Sequence, residues 1–271
     1  MTVPAVTYRL QINNAPVGQD LLDAVSLIEV EDDAALASAF RLRLPIGLTN
    51  SGDWTWVADD LFQPLTPLTI TVQLGSTINE QLMSGYVTAH HVHFEESPGA
   101  SFLEVAGIDA SALMNLEEKI VAWKDLADSD IATQIFNTYG FTPQVDSTQP
   151  SYDENEVTVI QRGTDLSFLR GLARRNGFEV FVETDAASGS TTGHFHRPSL
   201  AGQPQKDLAL TFGEDTNVKT LEARYDALRP TAAEARGLAL ADKSEQSANN
   251  TASSLTTLGA TAVRDLPSQQ P

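Results

Sequence analysis

Apolar and polar residues alternate along several segments of the first hundred residues. Tyr8, Leu10 and Ile12 alternate with Arg and Gln, and the same period of two recurs at 40–44 and 68–74. An apolar run of strand length lies at 25–30, and the segments 86–94 and 102–108 resemble two more strands. A period of two is that of a strand with one buried face, which is typical of antiparallel sheets. The pattern predicts about six strands in an antiparallel barrel or sandwich.

The apolar spacing changes to that of helices after this region. Ile131, Ile135 and Phe136 fall on one helix face, the segment 128–130 (Asp-Ser-Asp) provides N-cap residues, and Gly140 ends the pattern. A second helix is predicted from Thr164 to a stop at Gly177, followed by a strand and a hairpin. These elements predict a small α/β unit.

The chain is therefore predicted to be mainly β with a small α/β insert, in which antiparallel barrel-like domains flank a helix-helix-hairpin unit. The predicted boundaries are 1–115 for the first barrel-like domain and 116–203 for the α/β unit. Strand patterns return at 208–212 and 218–225, so 204–242 is predicted to start a second barrel-like domain. Residues 243–271 are rich in Ser, Thr, Ala, Asn and Gln, which predicts a polar linker or a disordered tail.

Charge excludes one functional class. The 271 residues include 17 Lys and Arg against 36 Asp and Glu, a formal net charge of −19. Residues 1–115 hold only three basic groups and fourteen acidic ones. Such a chain repels phosphates, so we expect no specific nucleic-acid binding. No apolar run reaches the length of a membrane span, and the N-terminus lacks a signal-peptide pattern. We therefore expect no membrane insertion by the chain itself and assembly in the cytoplasm.

No motif in the sequence calls for catalysis. The chain has no cysteine, no nucleophile elbow, no phosphate loop, no zinc-protease helix and no dinucleotide fingerprint. We predict that it is not an enzyme and has no catalytic, cofactor or metal site. The histidines at 90, 91 and 93 and at 194 and 196 raise the alternative of a metal-dependent hydrolase, but the polar face of a strand explains them better.

The loop sequence 52–56 (Gly-Asp-Trp-Thr-Trp) holds two of the three tryptophans. Trp54 and Trp56 are candidates for partner or carbohydrate contact, and anchoring of the loop into the barrel is the competing interpretation. They support an alternative function, a secreted β-rich binding module for a glycan or protein ligand.

Four segments together resemble one protein family. They are 84–88 (SGYVT), 129–140 (SDIATQIFNTYG), 163–178 (GTDLSFLRGLARRNGF) and 232–237 (AAEARG). In this order and spacing they are similar to the baseplate hub family of contractile tails and injection systems, which includes phage late control protein D and VgrG-like hubs. The resemblance covers roughly residues 5–242. The positions that match the family motifs are Gly85, Asp130, Ile131, Tyr139, Gly140, Asp165, Phe168, Leu169, Ala173 and Gly177.

This resemblance implies a structural role without catalysis. Family members form trimeric rings with two barrel-like domains per chain, which join a hexameric inner tube to a trimeric spike. The implied partners are two further copies of the chain, the inner tube protein, the spike protein and other baseplate components, in a phage tail or an injection particle. A full hub continues well past residue 242, so we expect the second barrel here to be shortened, rearranged or completed by another chain. The acidic charge suggests channel walls that repel DNA or cargo.

Overall fold

The computed structural model describes residues 6–33, 36–57, 60–75, 78–97, 99–149, 158–199, 207–211, 213, 216–222, 233–238 and 243–250. The chain divides into two units, residues 1–197 and residues 198–271. The fold is mainly β, as the alternating pattern predicted, with two longer helices in the second half of the first unit. In the described ranges no helix is long and apolar enough to cross a membrane.

A seven-stranded antiparallel sheet forms the first part of the first unit. Its strands are β1 (Val6–Ile12), β2 (Ala15–Pro16), β3 (Leu27–Glu31), β4 (Ala39–Pro45), β5 (Pro67–Leu74), β6 (Ile78–His93) and β7 (Phe102–Ile108). Their order across the sheet is β2-β1-β5-β6-β7-β4-β3. A short helix that the pattern did not predict, α1 (Gln19–Ala24), precedes β3. The six predicted strands are all present in this sheet.

The alternating residues of these strands form the first hydrophobic core. Phe40, Leu42 and Leu44 of β4 are almost completely buried, as are Leu103 and Val105 of the neighbouring β7. The polar residues between them face the other side, where Arg43 donates to Glu104 across the β4-β7 pair at 2.9 Å. Strands β1, β4, β5, β6 and β7 all contribute buried side chains to this core.

The rest of the first unit is an α/β arrangement. Its elements are β8 (Glu118–Trp123), α2 (Asp128–Thr138), β9 (Thr142–Val145), β10 (Val159–Thr164), α3 (Asp165–Asn176), β11 (Glu179–Thr184) and β12 (Thr191–His196). Strands β8 and β10 form an antiparallel pair, and β11, β12 and β9 form a three-stranded sheet in which β9 runs parallel to β12. Both predicted helices are present, whereas β8, β9 and β10 were not predicted.

The start of α2 differs from its prediction. Asp128 is the first residue of the helix, and Ala127 occupies the N-cap position. The methyl side chain of Ala127 accepts no hydrogen bond, but its backbone N–H donates to the Asp130 carboxylate at 3.1 Å. Asp130 thus makes the side-chain-to-N-cap hydrogen bond of a capping box. Asp128 instead accepts hydrogen bonds from α3.

The two helices and the three-stranded sheet enclose a second hydrophobic core. Ile131 and Phe136 of α2, Leu169 of α3 and Phe195 of β12 are completely buried in it. Gly193 of β12 lies directly against the Phe136 ring, and a Cβ at this position would collide with that ring. The absence of a side chain at Gly193 therefore sets how closely α2 approaches the sheet.

The described part of the second unit contains one antiparallel pair, β13 (Ala233–Leu238) and β14 (Glu245–Asn250). The prediction of a linker or tail over 243–271 was wrong for β14, because this strand is held by backbone pairing and has no buried apolar face that a sequence pattern would reveal. Residues 251–271 lie outside the described residues. The strands predicted at 208–212 and 218–225 are also absent over their described positions, where Asn217 bonds locally to Ala209 and Asp207.

Candidate functional site

A buried polar cluster lies where the two helices meet the β8-β10 pair. Asp165, the first residue of α3, is 3% exposed. Its Oδ2 accepts hydrogen bonds from Lys119 Nζ at 2.6 Å and from Tyr139 Oη at 2.6 Å. Its Oδ1 accepts from Gln161 Nε2 at 2.6 Å, and Gln161 Oε1 accepts in turn from Trp123 Nε1 at 3.1 Å. We call these five residues the Asp165 cluster.

The electrostatics of the Asp165 cluster favour fixed charges. Burial acts to raise the pKa of Asp165, but the hydrogen bonds from Lys119, Tyr139 and Gln161 outweigh it and hold the pKa below its ordinary value. The hydrogen bond to Asp165 raises the pKa of Lys119. Burial, followed by the hydrogen bond to Asp165, raises the pKa of Tyr139 to about 12. All three pKa values move away from neutrality, which suits an ion pair that positions elements and not a proton-transfer site.

A second carboxylate joins the two helices directly. Asp128, at the start of α2, is 2% exposed. It accepts two hydrogen bonds from the guanidinium of Arg175, one of them from Nε at 2.6 Å, and a third from Asn176 Nδ2 at 2.6 Å. The carboxylate lies at a helix N-terminus and the guanidinium at a helix C-terminus, so both also interact favourably with the helix dipoles. These three hydrogen bonds join the start of α2 to the end of α3 and so fix how the two helices cross.

The family-motif positions lie in packing and capping positions of this same region. Ile131, Leu169 and Ala173 are buried in the second core, with Phe168 and Tyr139 packed against it. Gly140 and Gly177 adopt positive φ angles of 70° and 66° after α2 and α3, a conformation that favours glycine. Gly85 belongs to the first sheet, where a Cβ would collide with the Ile108 carbonyl oxygen.

Trp54 and Trp56 pack inward. Both are half-buried and lie against the first core. Their loop is tied back by Thr55, whose N–H donates to the Gly47 carbonyl at 3.0 Å and whose Oγ1 accepts from the Gly47 N–H at 2.9 Å. Phe94, 54% exposed, contacts Trp54 with ring centroids 4.7 Å apart. The loop is thus anchored against the first core, and a partner contact at these tryptophans stays a prediction.

The histidines form ring contacts within two separate groups. His91 and His93 lie on one face of β6, and His93 stacks on Phe102 at 4.9 Å between ring centroids. His194, only 8% exposed, stacks on Phe181 at 4.3 Å, and burial lowers its pKa although Glu183 lies nearby. Over the described part of the chain, no group of three or more histidine, cysteine or acidic side chains is arranged to hold a metal ion.

A cleft of about 560 Å³ opens between the first sheet and the three-stranded sheet of the same unit. One wall is the segment 81–84 of β6, and the opposite wall is the edge strand β11. Gln81 Nε2 donates to the Thr184 carbonyl at 3.0 Å and joins the two walls. The ionisable side chains that line it, among the described residues, are all acidic: Asp32, Asp33, Asp109, Glu179 and Glu183.

The sequence pattern did not predict the residues that complete the Asp165 cluster. Lys119, Trp123 and Gln161 lie on β8 and β10, two strands that were not predicted. Half-buried and exposed residues alternate along β8, and Lys119, Val121 and Trp123 are the half-buried ones. A lysine on the inward face of this alternating segment was the sequence signal for a buried ion pair. This signal can be recognised only once the pairing of β8 with β10 is known.

Two solved structures share this fold over most of the chain. The 43 kDa tail protein of prophage MuSo2 from Shewanella oneidensis matches with a TM-score of 0.58 and 16% identity, covering 91% of this chain and 70% of that one. A tail protein from Neisseria meningitidis MC58 matches with a TM-score of 0.60 and 11% identity, covering 93% and 69%. The chain therefore has the fold of phage tail proteins.

A comparison with protein-family models identifies the family of the chain. The family model described as the Alg8 N-terminal domain matches residues 3–269, and the chain belongs to this family. No curated protein matches the chain.

Proposed function

We propose that this protein is a structural hub of a contractile tail or injection-system baseplate. The observation that carries the proposal is the fold shared with two tail proteins over more than nine-tenths of the chain. The arrangement of the described residues also supports it, since two buried carboxylates, Asp128 and Asp165, serve to join secondary-structure elements.

The proposed assembly is a trimeric ring that joins a hexameric inner tube to a trimeric spike. Three chains present a six-fold surface only if each carries two similar domains. We propose the first barrel-like domain over 1–115, the α/β unit over 116–203 and the start of the second barrel-like domain over 204–242. The first core draws on residues 10–105 and the second on residues 110–195, which supports the boundary between the first two.

Solution mass and partner capture test this proposal together. We expect the full chain to form a trimer with a central channel by light scattering and electron microscopy, on its own or with a tube protein and a spike protein from the same source. A chain that stays monomeric at micromolar concentration in the presence of both partners would contradict the proposal. In the trimer, acidic residues of 1–115 should line the channel; an even spread over the outer surface would reject that part alone.

A further inference from the structure

The cleft between β6 and β11 carries an inference that goes beyond the hub proposal and does not depend on it. Within the described residues, β11 pairs on one side only, with β12. Gln81, Met83 and Ser84 of β6 pair with β5, with a register shift at Leu82, whereas the pairing of β6 with β7 begins at Tyr86. Residues of both strands line the same cleft, where the Thr184 carbonyl of β11 accepts from Gln81 of β6 and the described residues give neither of these strand edges a strand partner. Such edges present backbone N–H and carbonyl groups to any extended chain that enters.

The side chains of the cleft add apolar contact to this backbone chemistry. Leu36 is 62% exposed and Leu82 is 46% exposed, and both line the cleft together with Phe181. Apolar side chains beside an open strand edge provide pockets for alternate side chains of an added strand. The cleft therefore has the two features by which sheets take up an extended peptide.

Charge identifies the occupant. In the part of the chain that the structure describes, no lysine, arginine or histidine lines the cleft, and its five carboxylates include Glu183, whose side chain is 72% exposed. A second copy of this chain, with a net charge of −19, is repelled by this surface, and so is a nucleic acid. Favourable electrostatics therefore require lysine or arginine on the incoming segment.

We propose that this cleft binds an extended, basic segment of a different protein, which adds as a strand beside β6 and β11. The backbone edges supply affinity, and the carboxylates of Glu179 and Glu183 select a cationic sequence. The occupant alternates basic and apolar side chains, since a strand directs successive side chains to opposite faces.

The test uses the full chain and a short labelled peptide of alternating arginine and valine. We expect saturable binding by fluorescence anisotropy, weakening at high salt, and slower amide hydrogen exchange at 81–84 and 179–184. A matched peptide of alternating arginine and proline keeps the charge. It has no backbone N–H group at the proline positions, so it should bind much more weakly. A glutamate-valine peptide should not bind.

Two double variants locate the site. Glu179→Gln with Glu183→Gln should weaken arginine-valine binding about fivefold, because it removes two carboxylates from the cleft. The control, Glu96→Gln with Glu118→Gln, removes two exposed carboxylates elsewhere and should leave binding unchanged. Equal weakening by both pairs, or exchange protection outside the cleft, would overturn the proposal. A change in oligomeric state caused by the cleft variant alone would also overturn it, since a second copy would then be the occupant.

Discussion

Replacing Asp165 with asparagine tests whether the Asp165 cluster holds the α/β unit together. The carboxylate accepts three hydrogen bonds and pairs with Lys119, whose side chain is 25% exposed. An asparagine side chain keeps the shape of the aspartate but has one acceptor oxygen in place of two. Its NH₂ group, itself a donor, would face the donor groups that now bind the carboxylate. Lys119 is left as a partly buried cation without its counter-charge.

The expected cost is near the lower end of the range for breaking a buried ion pair. Removal of one partner of such a pair destabilises proteins by about 3–5 kcal/mol. Because a quarter of the Lys119 side chain remains in contact with water, we expect about 3 kcal/mol for Asp165→Asn. In a unit of this size each kcal/mol shifts the melting temperature by about 2–4 °C, so a fall of about 6–12 °C should follow.

Urea unfolding followed by tryptophan fluorescence measures this cost, since Trp123 belongs to the cluster. Lys119→Met removes the cation, and the double variant should recover at least about 1 kcal/mol relative to the sum of the single variants. Glu118→Gln, an exposed neighbour on the same strand, is the control and should stay within about 0.5 kcal/mol of the parent. A cost of Asp165→Asn below about 1 kcal/mol, or no coupling to Lys119, would refute the reasoning.

The same carboxylate predicts a pH dependence. The pKa of Asp165 in the folded protein lies below its ordinary value of 3.8. A group with a lowered folded-state pKa stabilises the fold fully above its unfolded-state pKa. Its contribution should therefore persist down to about pH 4 and disappear as the pH falls further through the folded-state pKa. The stability difference between the parent and Asp165→Asn should shrink over that acidic range.

Four further outcomes follow from the structure. The tyrosinate absorbance of the folded chain should include a component with a pKa of about 12 that Tyr139→Phe removes; its persistence would contradict the assignment. Since this pKa lies above the ordinary value of 10.0, the Tyr139 contribution to stability should be lost as the pH rises from about 10 towards about 12. Gly193→Ala should cost about 1–3 kcal/mol by urea unfolding because of the collision with Phe136, whereas Gly171→Ala, with open space in the middle of α3, should stabilise by about 0.5–1 kcal/mol.

Strands with one buried face were predictable because the pleat alternates side chains between the core and water. Phe40, Leu42 and Leu44 show this alternation, and β4 forms where they lie. Helices α2 and α3 were predictable for the corresponding reason, since one face of each is apolar and glycines end both. The strand β14 has no such face, so its sequence carries no comparable signal.

The sequence alone therefore determined the class of fold, six strands of the first sheet and the two helices, because periodicity records which side of each element meets the core. Tertiary structure decided the strand order, the pairing of β8 with β10, and the contacts of Asp165. Lys119 and Asp165 are 46 positions apart, and nothing local requires them to meet. They meet because strand pairing places Lys119 opposite Gly163, two residues before the aspartate. The cleft beside β6 and β11 likewise exists only where two strand edges from distant parts of the chain face each other.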